Sequence, residues 1–144
     1  MKKLLFLTVV LPTTLSMCNI GDYDYVYTAN YIYRNNTSWN LTVNSYFDFF
    51  PQRDSVFFIP QGDNFMLTFA FEANSVPEPF CWRGHPGYMD STIVSNGVKQ
   101  IIYRYRNKDK LYVKEDYTLI EEAKRRGTYQ YTFTDEDFLD AEPI

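Results

Sequence analysis

The chain has 144 residues, of which 14 are Lys or Arg and 18 are Asp or Glu, so its formal net charge is -4. This acidic balance argues against a general nucleic-acid binder, because such proteins neutralise phosphates with clustered cations. Two cysteines and one histidine exclude a disulfide-dense scaffold, a cysteine-rich zinc module and a multi-histidine metal site. The proportions of 45% hydrophobic and 22% charged residues are those of a small globular domain.

Residues 1–17 have the pattern of an export signal. Lys2 and Lys3 give a positive start, and Leu4–Leu11 form an almost uninterrupted apolar run. This run is far shorter than the roughly 20 apolar residues that span a bilayer, so we expect a cleaved leader rather than a permanent transmembrane helix. The chain is therefore expected to be translocated and not embedded.

Cys18 follows directly on this leader, in the sequence Leu15-Ser16-Met17-Cys18. The arrangement resembles the lipobox of bacterial lipoproteins, although the residue before the cysteine is normally small and here is Met17. The resemblance implies that the Cys18 thiol carries a diacylglycerol and that the leader is cut before it. Several acyl chains anchor a protein stably where one binds only marginally, so we expect attachment to the membrane through the N-terminal lipid. An ordinary secretory leader followed by an unmodified cysteine is the alternative.

The part of the chain after the leader is expected to form one domain, residues 27–144, on a tether of residues 18–26. Its many aromatic residues favour strands, since the chain has 13 Tyr and 12 Phe, which suit pleated, half-buried surfaces. Period-two alternation of apolar and polar residues predicts clear strands at Trp39–Val43, Phe65–Phe71, Ile101–Tyr105 and Tyr129–Phe133. Weaker patterns predict strands at Tyr27–Tyr33, Val56–Ile59, Thr92–Ser95 and Leu111–Tyr117.

Turn-forming residues separate these segments, and Asn96-Gly97 between apolar runs is the strongest hairpin signal. A type I′ turn suits that pair because it needs positive φ at both central positions. About eight short strands at spacings near ten residues predict an all-β fold, an antiparallel β-sandwich of the immunoglobulin-like kind, with a small barrel as the alternative. Capping-box spacings at Thr118–Glu121 and Thr134–Asp137 predict one or two short helical turns near the C terminus, the first ending at Gly127.

Three segments resemble a group of small Bacteroidetes lipoproteins of unknown function. They are the opening Tyr31–Ser38, the stretch Asp90–Tyr103, and Tyr129–Phe138 with its Tyr-x-Tyr-Thr-x-Thr strand and acidic turn. The resemblance does not extend to the segment Phe47–Tyr88. The resemblance implies a secreted, lipid-anchored β-sandwich of the cell envelope, held at the outer membrane on its periplasmic or surface face, and it supplies no catalytic residue.

Exposed aromatic residues are the main candidates for a binding site. Tyr and Phe are more numerous than the inner faces of about eight short strands would hold, so some rings are expected on the surface. Aromatic faces bind sugar rings and protein partners because they offer large contact areas at low entropic cost. We expect a protein or glycan ligand, without cofactor or metal, and the candidate residues are Trp82, Tyr88, Tyr103, Tyr105 and Tyr112.

Cys81 and His85 support an alternative interpretation, in which they are the nucleophile and base of a small secreted hydrolase or another cysteine-dependent enzyme. Such an enzyme needs a thiolate activated by an adjacent imidazole. The two residues need not meet in a loop rich in Pro and Gly, and the aromatic neighbours of Cys81 favour a buried, inert thiol. We therefore expect no enzyme. A further alternative is an inhibitor or accessory protein that acts by strand addition.

Overall fold

The structure, a computed structural model, describes residues 26–47, 55–72, 75–80 and 89–144. Within these ranges no helix is long and apolar enough to cross a bilayer. Predictions for the leader and for tether residues 18–25 concern residues outside the described ranges, and so do those for five individual residues: Cys18, Cys81, Trp82, His85 and Tyr88. Val26, the last residue of the predicted tether, is instead the first residue of a strand.

Two β-sheets pack face to face. The described strands are β1 Val26–Asn35, β2 Leu41–Phe47, β3 Ser55–Ile59, β4 Asn64–Glu72, β5 Met89–Ser95, β6 Lys99–Arg104, β7 Thr118–Ala123, β8 Arg126–Phe133 and β9 Glu142–Pro143. Sheet A has the order β4-β1-β8-β7, and sheet B has the order β3-β2-β5-β6-β9. Of the pairs among these strands, β1–β8 is parallel and the others are antiparallel. The all-β sandwich predicted from the sequence is confirmed.

Alternation along the strands places aromatic side chains between the sheets. On β1, Tyr31 and Tyr33 are almost completely buried, while the intervening Ile32 is partly exposed. Tyr129 on the neighbouring β8 stacks on Tyr31, with ring centroids 5.3 Å apart. Burial of each large apolar side chain contributes about 1.5–3 kcal/mol, so this aromatic layer is a main source of the fold's stability.

Two tyrosine hydroxyl groups in this core are paired with backbone carbonyls. The Tyr31 hydroxyl donates to the carbonyl of Pro77 at 2.5 Å, and the Tyr117 hydroxyl donates to the carbonyl of Leu111 at 2.7 Å. A buried hydroxyl without a partner is costly, so these bonds fix where the connecting segments can lie. They tie residues 75–80 and 110–117 to the sheets.

The segment Leu111–Tyr117 is not the strand that alternation predicts. It forms 3₁₀ turns at Lys110–Tyr112 and Lys114–Asp116 as the chain passes from sheet B to sheet A. Its consecutive residues Leu111 and Tyr112 are both buried, which a half-exposed strand does not allow. The crossing between the two sheets therefore decides its conformation.

The first C-terminal helical turn is also absent, because Thr118–Glu121 belongs to β7. This strand returns directly into β8, with Ala123 paired to Arg126, and Gly127 lies inside β8 rather than at a helix end. The pairing with β8 outweighs the local capping signal.

The second predicted turn is confirmed as a 3₁₀ helix at Asp135–Phe138. Thr134 and Asp137 form the reciprocal capping box there, and the Thr134 backbone N–H donates to the Asp137 carboxylate at 2.8 Å.

The predicted hairpin at Asn96-Gly97 joins β5 to β6, but its turn type differs from the prediction. The Asn96 backbone N–H donates to the carbonyl of Lys99 at 3.1 Å, so Gly97 and Val98 are the central residues. Gly97 has φ of 87° and Val98 does not have positive φ. This is the requirement of a type II′ turn, so the type I′ prediction is wrong. Asn96 instead uses its side-chain oxygen to accept from the amides of Val98 and Lys99.

Candidate functional site

Two of the predicted binding residues are buried. Tyr103 is 3% exposed and Tyr112 is 5% exposed, so the expectation that both rings lie on the surface is wrong. Tyr103 faces inward on β6, and the hydroxyl of Tyr112 donates to the hydroxyl of Thr92 at 2.7 Å. The core accommodates more rings than the strands alone provide for, because the 3₁₀ turns between the sheets also contribute side chains.

Tyr105 is partly exposed and lines a cleft of about 340 Å³. Its ring meets that of Tyr112 edge to face, with centroids 5.6 Å apart. Two of the predicted binding residues are therefore in contact: the ring of Tyr105 is partly exposed, and the buried ring of Tyr112 packs behind it. This Tyr105 cleft is lined by Glu78, Tyr105, Arg106, Lys108, Tyr112, Val113 and Glu115.

The local backbone turns sharply where the cleft forms. Strand β6 ends at Arg104, and the 3₁₀ turn Tyr105–Asn107 follows it directly. Lys108 then adopts a left-handed conformation with φ of 54°, and its backbone N–H donates to the carbonyl of Tyr105 at 3.0 Å. The carboxylate of Asp109 accepts from the backbone N–H of Arg104 at 2.6 Å. This reversal places an aromatic and two basic residues around one opening.

Charged side chains of both signs surround the Tyr105 ring. Arg106, Lys108, Glu78 and Glu115 are all exposed. Glu78 also pairs with Lys114 at 3.7 Å, and such an exposed pair contributes only about 0–1 kcal/mol to stability. A ligand can therefore compete with Lys114 for Glu78 at little cost to the fold. Burial raises the pKa of Tyr112 above its ordinary value of 10.0, so the supporting ring stays uncharged in alkaline solution as well as at neutral pH.

A second cleft, of about 360 Å³, lies where the β1–β2 loop, the β5–β6 turn and the Asp135–Phe138 helix meet. Trp39, Val98 and Leu139 are 42%, 68% and 71% exposed. We name it the Trp39 cleft, and its lining is Trp39, Asn96, Val98, Lys99, Asp135, Phe138 and Leu139.

The polar groups of the Trp39 cleft are engaged in internal hydrogen bonds. The Asp135 carboxylate accepts from the backbone N–H and the hydroxyl of Ser38, both at 2.7 Å. The Lys99 ammonium donates to the carbonyls of Phe138 and Leu139 at 2.9 and 3.0 Å. What the cleft offers to a partner is therefore mainly apolar surface. The sequence assigned Trp39 to a strand, and its position in the loop before β2 is what exposes it.

Comparison of the chain with protein-family models, with curated proteins and with solved structures finds no match. In the part of the chain that the structure describes, no group of three or more His, Cys, Asp or Glu side chains is placed to bind a metal.

Proposed function

We propose that this chain is a non-enzymatic, lipid-anchored protein of the cell envelope whose β-sandwich binds a carbohydrate at the Tyr105 cleft. The supporting observation is that one cleft combines a partly exposed aromatic ring with exposed cations and carboxylates. Sugar rings have apolar faces that stack on aromatic side chains, and their hydroxyls both donate to carboxylates and accept from Arg and Lys. The acylated Cys18 would hold this site at the membrane.

Replacement of Tyr105 by Ala tests the proposed site. We expect the variant to bind its glycan at least about fivefold more weakly, because a central aromatic side chain typically contributes about 1 kcal/mol or more to such a contact. The ligand is first found by applying the full-length protein in detergent to a glycan array, and its affinity is then measured by calorimetry.

The matched control for this test is Phe58→Ala, which removes an exposed ring from β3 in sheet B and should leave the affinity unchanged. Equal losses in both variants would contradict a specific role of Tyr105. Absence of glycan binding by the wild-type protein would contradict the proposal itself.

A protein partner is the second candidate ligand, and the Trp39 cleft favours it. Its exposed Trp39, Val98 and Leu139 offer apolar contact area, while its polar groups are already paired. Protein interfaces take most of their binding energy from such aromatic anchors. Under this alternative Trp39→Ala, and not Tyr105→Ala, would abolish capture of the partner.

The proposed anchor is tested by Cys18→Ala. We expect this variant to move from the membrane to the soluble fraction, because without the thiol no diacylglycerol can be attached. The control is Cys81→Ala, which should stay in the membrane fraction. Retention of the Cys18→Ala variant in membranes would argue against acylation.

The enzymatic alternative predicts a different result. If Cys81 and His85 formed a nucleophile and base, replacing either would abolish the protein's activity in its cell. Under our proposal the double replacement leaves glycan binding and membrane attachment as they are in the wild type.

A further inference from the structure

The two edges of sheet A are built differently. On β7, Glu121 and Glu122 carry charges, and the register shifts between Leu119 and Glu121. Charges and bulges of this kind prevent an edge strand from pairing with another chain. The opposite edge, β4, has no charged residue over positions 64–71, and its nine residues pair with β1 without a shift. Among the described strands β4 pairs only with β1, and this pairing is regular along the whole strand.

The inner face of β4 is also incompletely covered. Phe65, Leu67, Phe69 and Phe71 point between the sheets, and all are only partly buried. By contrast, the inward residues of the neighbouring strand β1 are almost completely buried: Ala29, Tyr31 and Tyr33. A further strand beside β4 would remove more of this apolar surface from water, at about 25 cal/mol per Å².

We propose that β4 pairs with the β4 strand of a second copy of this chain, antiparallel and about a two-fold axis at Thr68. In this register Phe65 faces Phe71 of the second copy, and Leu67 faces Phe69. The two four-stranded sheets A then become one continuous sheet. This association does not involve the Tyr105 cleft, which follows β6 of sheet B.

The sequence of β4 fits a second copy because it is complementary to itself. A two-fold interface brings each residue i opposite its symmetric partner, so any charge near the centre would face a like charge or an apolar residue. Residues 64–71 contain none. The pairing also keeps the side-chain alternation in phase, with Met66 opposite Ala70 on the outer face and aromatic or aliphatic residues opposite each other on the inner face.

Thr68 provides a specific test, because in this arrangement it faces itself. Its side chain is exposed on the outer face of β4. Thr68→Lys would set two ammonium groups opposite each other, and Thr68→Glu two carboxylates. Two full-length copies with different tags are co-expressed and purified in mild detergent through one tag, and recovery of the other copy is measured.

We expect wild-type copies to co-purify. Pairs of Thr68→Lys copies, and pairs of Thr68→Glu copies, should co-purify at least tenfold less, whereas Thr68→Lys with Thr68→Glu should recover the wild-type level. Both variants lose the hydrogen bond from Thr68 to the Asn30 side chain, so recovery in the mixed pair shows that neither variant is merely misfolded. Thr118→Lys on the opposite edge strand is the matched control and should co-purify like the wild type.

Several results would overturn the proposal. If the two wild-type copies do not co-purify, the proposal is wrong. This holds whether the β4 edge is then free or pairs with a strand of another protein. Undiminished pairing of Thr68→Lys copies would place the contact elsewhere, and a mixed pair that stays apart would exclude the two-fold register.

A second variant tests the same geometry in intact membranes. Facing residues of an antiparallel pair lie about 4.5–5.5 Å apart between Cα atoms, within the range that a disulfide can bridge. Thr68→Cys should therefore give an oxidised dimer on a non-reducing gel, and Thr118→Cys should not. Equal yields from both variants, or none from Thr68→Cys, would count against the pairing.

Discussion

Asn35 is the residue that joins the end of β1 to the other sheet. It is completely buried, and its side-chain amide donates to the carbonyls of Trp39 at 2.7 Å and of Ile59 at 2.9 Å. Its side-chain oxygen accepts from the backbone N–H and the hydroxyl of Thr37 at 2.9 and 2.7 Å. The Asn35 side chain thus hydrogen-bonds to backbone groups of both the β1–β2 loop and β3.

Replacement of Asn35 by Ala should lower the free energy of unfolding by about 3 kcal/mol. Each buried polar group left without a partner costs about 1–3 kcal/mol, and this change leaves several such groups. Urea denaturation followed by circular dichroism measures the loss. The control is the neighbour Asn36→Ala, whose exposed side chain accepts a hydrogen bond from the exposed Arg34, and it should cost less than about 0.5 kcal/mol. Similar losses in the two variants would contradict this role.

Part of this arrangement can be predicted from the sequence. Tyr31 and Tyr33 alternate inward, and the same alternation places position 35 on the inner face. A polar residue at that position looks like the end of a strand, because nothing in the local sequence shows that the carbonyl of Ile59 will lie beside it. The burial of Tyr103 was missed for a related reason, since exposure depends on how many rings the connecting turns add to the core.

At the scale of the element, the β7–β8 hairpin depends on Gly127. A Cβ atom at this position would lie 2.4 Å from Cε2 of the Tyr129 ring. That ring cannot move freely, because it stacks on Tyr31 with an angle of 22° between the ring planes. Glycine is therefore needed for the ring of Tyr129 to lie flat against its own strand.

Gly127→Ala should displace Tyr129 from Tyr31 and lower the free energy of unfolding by about 1–3 kcal/mol, as overpacking does in other cores. A double-mutant cycle with Tyr129→Ala, measured by thermal denaturation, isolates the clash. Once the ring is removed, Gly127→Ala should cost almost nothing. An equal cost in both backgrounds would mean that the backbone, and not the ring, requires glycine.

The elements predicted correctly are those with alternating burial, such as β4, where inward and outward residues differ clearly. Prediction failed for Leu111–Tyr117 and for Thr118–Glu121. In the first segment, the adjacent residues Leu111 and Tyr112 are both buried where the chain crosses between the sheets, so burial does not alternate with the two-residue period of a strand. In the second, a capping-box spacing occurs in a segment that pairs with β8. Both outcomes are decided by contacts far away in the sequence.

For the whole molecule, the tyrosine-rich core sets the response to alkaline pH. Burial is the largest cause that raises the pKa of six tyrosines above the ordinary value of 10.0: Tyr33, Tyr103, Tyr112, Tyr117, Tyr129 and Tyr131. Above pH 10 the unfolded chain loses these protons while the folded chain keeps them. The contribution of these protonated tyrosines to the free energy of unfolding is therefore fully present below pH 10 and is lost as the pH rises above it.

We expect cooperative unfolding within about two pH units above pH 10. Each of these tyrosines lowers the free energy of unfolding by about 1.4 kcal/mol per pH unit, against a typical total of 5–15 kcal/mol. Phenolate absorbance of the buried rings should rise together with the loss of the β-sheet signal in circular dichroism. Ionisation that is complete before the sheet signal changes would contradict this coupling.

Tyr103→Phe is the matched variant for the alkaline transition. The Tyr103 hydroxyl is buried and makes no hydrogen bond of ordinary geometry in the described part of the chain, where its polar neighbour is Tyr131, so its removal should change stability at neutral pH little. The pH dependence of unfolding should become shallower by one proton. An unchanged slope would show that Tyr103 does not contribute.

The parallel pair β1–β8 has a consequence for how the chain acquires its fold. It forms the middle of sheet A, yet contacts across it, such as Asn30 with Thr128, join residues 98 positions apart. Closing a loop of that length costs about 4 kcal/mol of chain entropy before any contact repays it. A nascent chain must therefore be synthesised beyond β8 before β8 can cover Tyr31 and Tyr33, and such distant contacts make folding slow. Products that terminate before β8 would expose these rings and be substrates for chaperones and proteases.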